Sequence, residues 1–148
     1  VTTIEIRALR EADRTVWAKM RHALWPEDSL EDHERDTARV LADTDCWGFV
    51  ALHESEAVGF AEVAVRKYAN GCESQPVPFL EGIWVDPRYR RSGIGRRLIA
   101  HVENVVRTRG FREIGSDALL DNQASHAAHA GWGFAETERV VYFRKVLG

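Results

Sequence analysis

FLEGIWVDPRYRRSGIGRRLI, residues 79–99, runs from an apolar strand through a proline-marked break and a glycine turn into a helix. Phe79 to Val85 is apolar enough for a central strand, and Asp86-Pro87 ends it because the ring of proline restricts the residue before it and cannot donate to a ladder. Gly82, inside that strand, predicts a bulge or a close backbone approach by something else. Beyond the turn, Ile94, Leu98, Ile99, Val102, Val105 and Val106 recur at helical spacing, and the run stops at Gly110, a good C-cap residue. Five arginines (Arg88, Arg90, Arg91, Arg96 and Arg97) crowd the turn, although the 148-residue chain has a formal net charge of -3.

A helix start presents unpaired N–H groups and the positive end of the helix dipole, and glycines let an anion approach the backbone closely. Gly93-Ile94-Gly95 therefore has the makings of a phosphate cradle. It is not the P-loop pattern, and it is not the dinucleotide GxGxxG, since Leu98 stands where the last glycine belongs. On the glycines alone, a simple turn with solvated arginines fits as well as a cradle.

Outward from this stretch the chain reads as one domain, 1–148, with no repeat, linker or low-complexity tract. Ile4, Ile6 and Ala8 alternate as a half-buried strand. EAD then opens a helix with Val16, Trp17, Met20 and Leu24 on one face, ended by Trp25-Pro26. Ser29 and Asp32 have capping-box spacing for a second helix from about Leu30 to Ala42. CWGFVAL (46–52) and AVGFAEVAV (57–65) form a hairpin around HESE, and RKYANGCESQPVP is a surface loop. After the long helix come a short strand in FREIGSDA, a helix from Asn122 to Gly131, and a terminal strand or strand pair in FAETERVVYFRKVL. The class is α+β (mixed α/β) around one central sheet.

Composition bounds the function. Apolar residues make up 45% and charged residues 29%, and no apolar run approaches the ~20 residues of a membrane span. VTTIEIRALREAD has no apolar segment behind a basic start, and Cys46 and Cys72 lie in no CxxC or zinc-ligand spacing, so a cytoplasmic protein without a metal is expected. A mildly acidic chain argues against nucleic acid as a partner and for a small anion facing the arginines.

The run from FLEGIWVDP through RYRRSGIGRRLI resembles the acetyl-coenzyme A signature of the GNAT superfamily of N-acetyltransferases, [Q/R]-x-x-G-x-[G/A], with Arg90, Gly93 and Gly95 at its fixed positions. The flanking order and the Gly133-Phe134 pair agree over nearly the whole chain. The resemblance implies a central mixed, mostly antiparallel sheet splayed at a bulged fourth strand and flanked by about four helices. It also implies acetyl-CoA as co-substrate. Backbone N–H groups from Arg91, Ser92 and Gly93 through Ile94, Gly95 and Arg96 would hold the pyrophosphate, with Arg90 beside them. The strand through Ile83 and Val85 would pair with the pantetheine arm, and Asn122 would contact that arm or the pyrophosphate; as a bare sequence feature Asn122 is also a helix N-cap.

LWPED, YANGCES, FLEGI, SDA and ETERV, in this order, are similar to segments of the aminoglycoside 6'-N-acetyltransferases, bacterial antibiotic-modifying members of that superfamily. This narrower resemblance places Trp25, Tyr68, Glu81, Asp117 and Glu138 at the acceptor. The roles suit a polycation: aromatic faces for sugar rings and ammonium groups, carboxylates for charge. Residues 27–36, EDSLEDHERD, hold six acids, which read as a solvated helix start, with Glu27 and Asp28, nearest Trp25, as further acceptor contacts.

An amine with a pKa near that of lysine, about 10, is mostly protonated at neutral pH and must lose a proton to attack a thioester. Glu81 is the expected base, with Asp117 assisting and a backbone N–H near Ile83 meeting the oxyanion. The resemblance puts His129 where a tyrosine commonly protonates the leaving thiolate. It also implies a homodimer, with the C-terminal strand as a candidate contact. The competing readings are a GNAT enzyme for another cation, such as a polyamine or a protein amino group, and a non-catalytic aminoglycoside-binding protein of this fold.

Overall fold

A computed structural model describes residues 3–148 and places a four-stranded antiparallel sheet, in the order β1-β2-β3-β4, between helices on its two faces. The strands are β1 (Ile4–Ala8), β2 (Cys46–His53), β3 (Glu56–Arg66) and β4 (Val77–Val85). Helices α1 (Arg14–Leu24) and α2 (Leu30–Ala42) precede β2, while α3 (Ile94–Thr108) and α4 (Gln123–Gly131) follow β4.

Alternation along the strands divides the core. Val50 and Phe60 face α1 and α2, where they pack with Trp17, Met20 and Val40. Phe49, Ala61, Val63 and Leu80 face α3, where Ile94, Leu98 and Val102 meet them. Each fully buried side chain of this size contributes about 1.5–3 kcal/mol, so both helical layers are held mainly by apolar burial. Ser29 caps α2 by accepting from the Asp32 N–H at 3.1 Å, which is half of the predicted capping box.

The expected α1 face is rotated in the structure. Val16 is exposed, and Arg21 is buried beside Trp17 and Met20. The reason is electrostatic: β3 presents the buried Glu62 to this helix, and Arg21 turns inward to pair with it.

The bulge falls where Gly82 predicted it. Leu80 stands opposite Val63 and Gly82 opposite Glu62, so Glu81 is the extra residue on β4. Both Glu81 and Gly82 consequently turn toward α1, a geometry that regular pleating forbids.

Two predicted strands are not formed as such. In FREIGSDA only Gly115 pairs, through an isolated parallel bridge to Phe79: Leu80 N donates to Gly115 O at 2.8 Å and Gly115 N to Pro78 O at 2.9 Å. The pairing stops where the bulge begins, so beyond Leu80 this edge of β4 carries no further ladder among the described residues. That bridge supplies the only parallel pairing described, and it is the point from which the sheet splays. The second correction concerns the C-terminus. Residues 135–148 contain no strand, and Val141, Tyr142, Phe143, Val146 and Leu147 are exposed. A strand forms only by pairing with an edge, and among the described residues this segment pairs with none, although β4 leaves one open.

Candidate active site

Against the α1/α2 face of the bulge lies a cleft of about 580 Å³ whose lining includes Trp25, Glu27, Asp28, Glu62, Glu81 and Asp117. Five carboxylates and three guanidiniums, those of Arg21, Arg39 and Arg66, line it, leaving an excess of negative charge. Size and polarity suit a cationic small molecule.

Trp25 is held by a frame that sequence reading missed. Arg21 donates to both oxygens of Glu62, to Asp36 at 3.2 Å, and from Nε to His33 Nδ1 at 3.3 Å. Because His33 Nδ1 accepts, its Nε2 carries the hydrogen that it donates to the Trp25 carbonyl at 2.8 Å. Trp17 Nε1 donates to Glu62 at 2.8 Å, and the Arg21 guanidinium lies 4.8 Å from the Trp25 ring centre. A buried ion pair with all its polar atoms satisfied is thus the mount for an aromatic wall of the cleft.

Gly82 receives that wall. A Cβ built there would lie 2.5 Å from Trp25 Cζ2 and 2.6 Å from Cη2. Gly82→Ala is therefore expected to displace Trp25 from the cleft wall, costing roughly 1–3 kcal/mol of stability. A thermal melt checks this; an unchanged melting temperature would contradict it.

Glu81 and Asp117 both line the cleft, but Glu81 is not free. Arg66 Nε and Nη2 each donate to it at 2.8 Å, a two-pronged pair. The Glu81 hydrogen bond and charge, with Asp117 and Tyr142 adding, hold the Arg66 pKa above its ordinary value. Cys46, at the rim, has its thiol pushed up to about 11, chiefly by burial and next by Asp43, which keeps it protonated at neutral pH.

Tyr68 and Glu138 stand outside the cleft lining. Tyr68 is exposed on loop 67–76, which Glu113 fastens by accepting from Ser74 N at 2.7 Å and Glu73 N at 3.1 Å. Those amides hold the Glu113 pKa below the usual carboxylate value. Gly71 of the loop lies against Thr137 and Glu138, so the loop and the start of the C-terminal segment adjoin.

On the other side of the sheet the glycine turn is built for an anion. Gly93 is the N-cap of α3, with φ 85° and no side-chain cap, and Arg91 also has a positive φ of 67°. Arg97 N makes the first helical bond back to Gly93, at 3.0 Å, so the N–H groups of Ile94, Gly95 and Arg96 have no acceptor within the helix. A Cβ on Gly95 would sit 3.1 Å from the Trp132 ring, which packs the end of α4 against the turn. The arginines do not all serve it. Arg88 pairs with Asp86 and Glu56, Arg97 donates to Ile4 O, and Arg90 Nε donates to Val85 O at 2.9 Å. Among the described residues, the side chains of Arg91 and Arg96 carry no such tie.

Between turn and cleft runs the unpaired edge of β4 through Ile83 and Val85. Next to its inner end, Ser116 and His129 form a pair 2.7 Å apart. His129 Nδ1 donates to Ser125 O at 2.8 Å, so its Nε2 accepts the Ser116 hydroxyl proton. Asn122 caps α4 by accepting from Ser125 N at 3.1 Å. Ser116 and Arg66 were missed from the sequence because hydroxyls and surface arginines are common. Glu62 left a signal: it is the one acid inside the apolar run AVGFAEVAV, residues 57–65.

A bulged strand with an open edge, leading from a glycine-opened helix to an acidic cleft, defines an acyl-transfer scaffold. The model of the acetyltransferase (GNAT) family matches residues 9–134, and the chain belongs to that family. Within it, the chain is 46% identical over 144 residues to an aminoglycoside N(6')-acetyltransferase type 1 of Stenotrophomonas maltophilia, covering 96% of this chain and 93% of the relative. It is 48% identical over 134 residues to that of Serratia marcescens, covering 89% and 92%. A solved structure of AAC(6')-Iy with the bisubstrate analogue CoA-S-monomethyl-acetylneamine superposes with a TM-score of 0.93 at 37% identity, over 98% of this chain and 99% of the other.

Proposed function

We propose that this chain transfers the acetyl group of acetyl-CoA to the 6'-amine of aminoglycoside antibiotics, conferring resistance in the bacterial cytoplasm where acetyl-CoA is made. The carrying observation is the acid-rich cleft, with Trp25 on its wall, set at the inner end of the free β4 edge. The acetyl donor fits the chain's own groups. The unsatisfied N–H groups of Ile94, Gly95 and Arg96, with the turn from Arg91 through Ser92 and Gly93, receive the pyrophosphate, and the untied side chains of Arg91 and Arg96 add positive charge, with Arg90 beside them held to Val85 O. The arm lies along Ile83 and Val85 as an added strand, near Asn122.

Trp25, Glu27, Asp28 and Asp117 hold the polycation, and Tyr68 and Glu138 form its outer edge. Glu81 takes the proton from the attacking amine, directly or through a water, with Asp117 assisting. The amine adds to the acetyl carbonyl, a backbone N–H near Ile83 meets the oxyanion, and coenzyme A thiolate leaves. His129, when it carries a proton on both ring nitrogens, gives the one on Nε2 to Ser116 as the Ser116 hydroxyl gives its own to the thiolate. His129→Phe is expected to lower turnover and change the solvent isotope effect; a normal rate with an unchanged effect removes that role.

The exposed apolar residues from Val141 to Leu147 support a homodimer in which the C-terminal segment finds its missing edge. Sedimentation should give a dimer for the unaltered chain and a monomer for Phe143→Glu.

Incubation with acetyl-CoA and kanamycin or tobramycin, with NMR and mass spectrometry locating the new amide, tests the activity. Acetylation at the 6'-nitrogen is expected. Turnover of a polyamine or a protein amino group with none of any amino sugar would overturn the acceptor and leave the donor half standing.

A further inference from the structure

We infer that Arg66 is an internal cation seated in the ammonium subsite of the cleft, which an acceptor must displace, so that it sets one binding threshold for every acceptor amine. The inference rests on the acceptor reading above. Arg66 ends β3 and meets Glu81 with two parallel hydrogen bonds of 2.8 Å. Each carboxylate oxygen accepts one of these bonds and keeps a lone pair, but the guanidinium neutralises the Glu81 charge and fills the side of the carboxylate it faces, so an ammonium takes that place only as the pair opens. A guanidinium pairs with a carboxylate as a substrate ammonium does, so the two cations compete for one site.

The pair is constructed to open. Its side chains are 41% and 31% exposed, whereas those of the Arg21–Glu62 pair on the same cleft are both 7% exposed. Arg21 has further partners in Asp36 and His33 and is sealed under Trp25. The Arg66 guanidinium instead lies 3.7 Å from the centre of the Phe79 ring and beside open solvent, so it can swing outward while its stem stays on β3. An open ion pair is worth only about two- to fivefold in an equilibrium. A polycation, which reaches Glu81 with one ammonium and Asp117, Glu27 and Asp28 with others, overcomes that competition. A single amine gains one contact for the one it breaks.

The test compares kanamycin with methyl 6-amino-6-deoxyglucoside, which carries one amine, in the full-length enzyme and its Arg66→Met variant. The variant is expected to lower the KM of both acceptors by a similar factor, about two- to fivefold, while the acetyl-CoA KM stays. An unchanged or higher KM for both acceptors makes Arg66 a holder of Glu81 and overturns the inference alone. Absence of kanamycin acetylation by the unaltered enzyme overturns the acceptor assignment and this inference together. Should Arg66→Met not fold, the Arg66 Nε–H resonance of the unaltered protein reports instead: it shifts and broadens as kanamycin saturates the coenzyme A complex, and an unmoved signal counts against displacement.

Discussion

Glu81→Gln is expected to lower kcat for aminoglycoside acetylation roughly a hundred- to ten-thousand-fold, the span covered by loss of a positioned base. Glutamine keeps the size and one acceptor oxygen but cannot take a proton. The deficit should be largest near neutral pH, where an alkylammonium with a pKa of about 10 is almost fully protonated, and should narrow as pH rises and the free amine appears without help. Acetyl-CoA binding should stay near normal, because the groups assigned to it lie along the β4 edge and at the turn of α3. Rates measured across pH with a thiol reagent check this. A variant with unaltered turnover and pH dependence would remove Glu81 as the base and pass the role to Asp117.

Glu62→Gln should damage the fold most. It leaves the Arg21 guanidinium, buried to the same degree as its partner, without its principal counter-charge. Removing one member of such a pair costs about 3–5 kcal/mol. Asp36, more exposed and 3.2 Å from Arg21, offsets part of this, so about 3 kcal/mol and a fall in Tm of roughly 6–12 °C are expected for a domain of this size. The acceptor KM should rise as well, because Arg21 carries Trp25 through His33. Thermal melts and kinetics at matched protein concentration check both effects. A melt within a degree of the unaltered protein would show that Asp36 alone suffices. Replacing both partners, Arg21→Met with Glu62→Leu, should recover part of the loss, since no charge is then left buried.

The two acids illustrate how far local sequence carries. Glu81 stood out as a carboxylate in an apolar strand, where an unpaired charge is costly. The same reasoning applies with more force to Glu62 in AVGFAEVAV, which is the buried one, while Glu81 is half-open and paired with Arg66. Burial of a strand residue depends on which helices cover its face, and no pattern within the strand reports that. Val16 and Arg21 make the same point: the helical period fits several neighbouring faces, and the one adopted is set by the acid on β3.

The amino-acid sequence by itself determined the order of elements, the break at Asp86-Pro87, the special place of Gly82, and the glycine-opened helix that suits an anion. These are consequences of backbone sterics and hydrophobic period, which act within a few residues. Tertiary structure alone decided that Gly82 is both a bulge position and the seat of Trp25. It also decided that Ser116 meets His129, that Arg66 lies in the acceptor cleft, and that FREIGSDA pairs at Gly115 only. Each of these joins residues from separate elements, and their meeting is fixed by how helices and strands pack. Residues 135–148 are the exception to both, because VVYFRKVL carries a strand's pattern and yet pairs with none of the described strands.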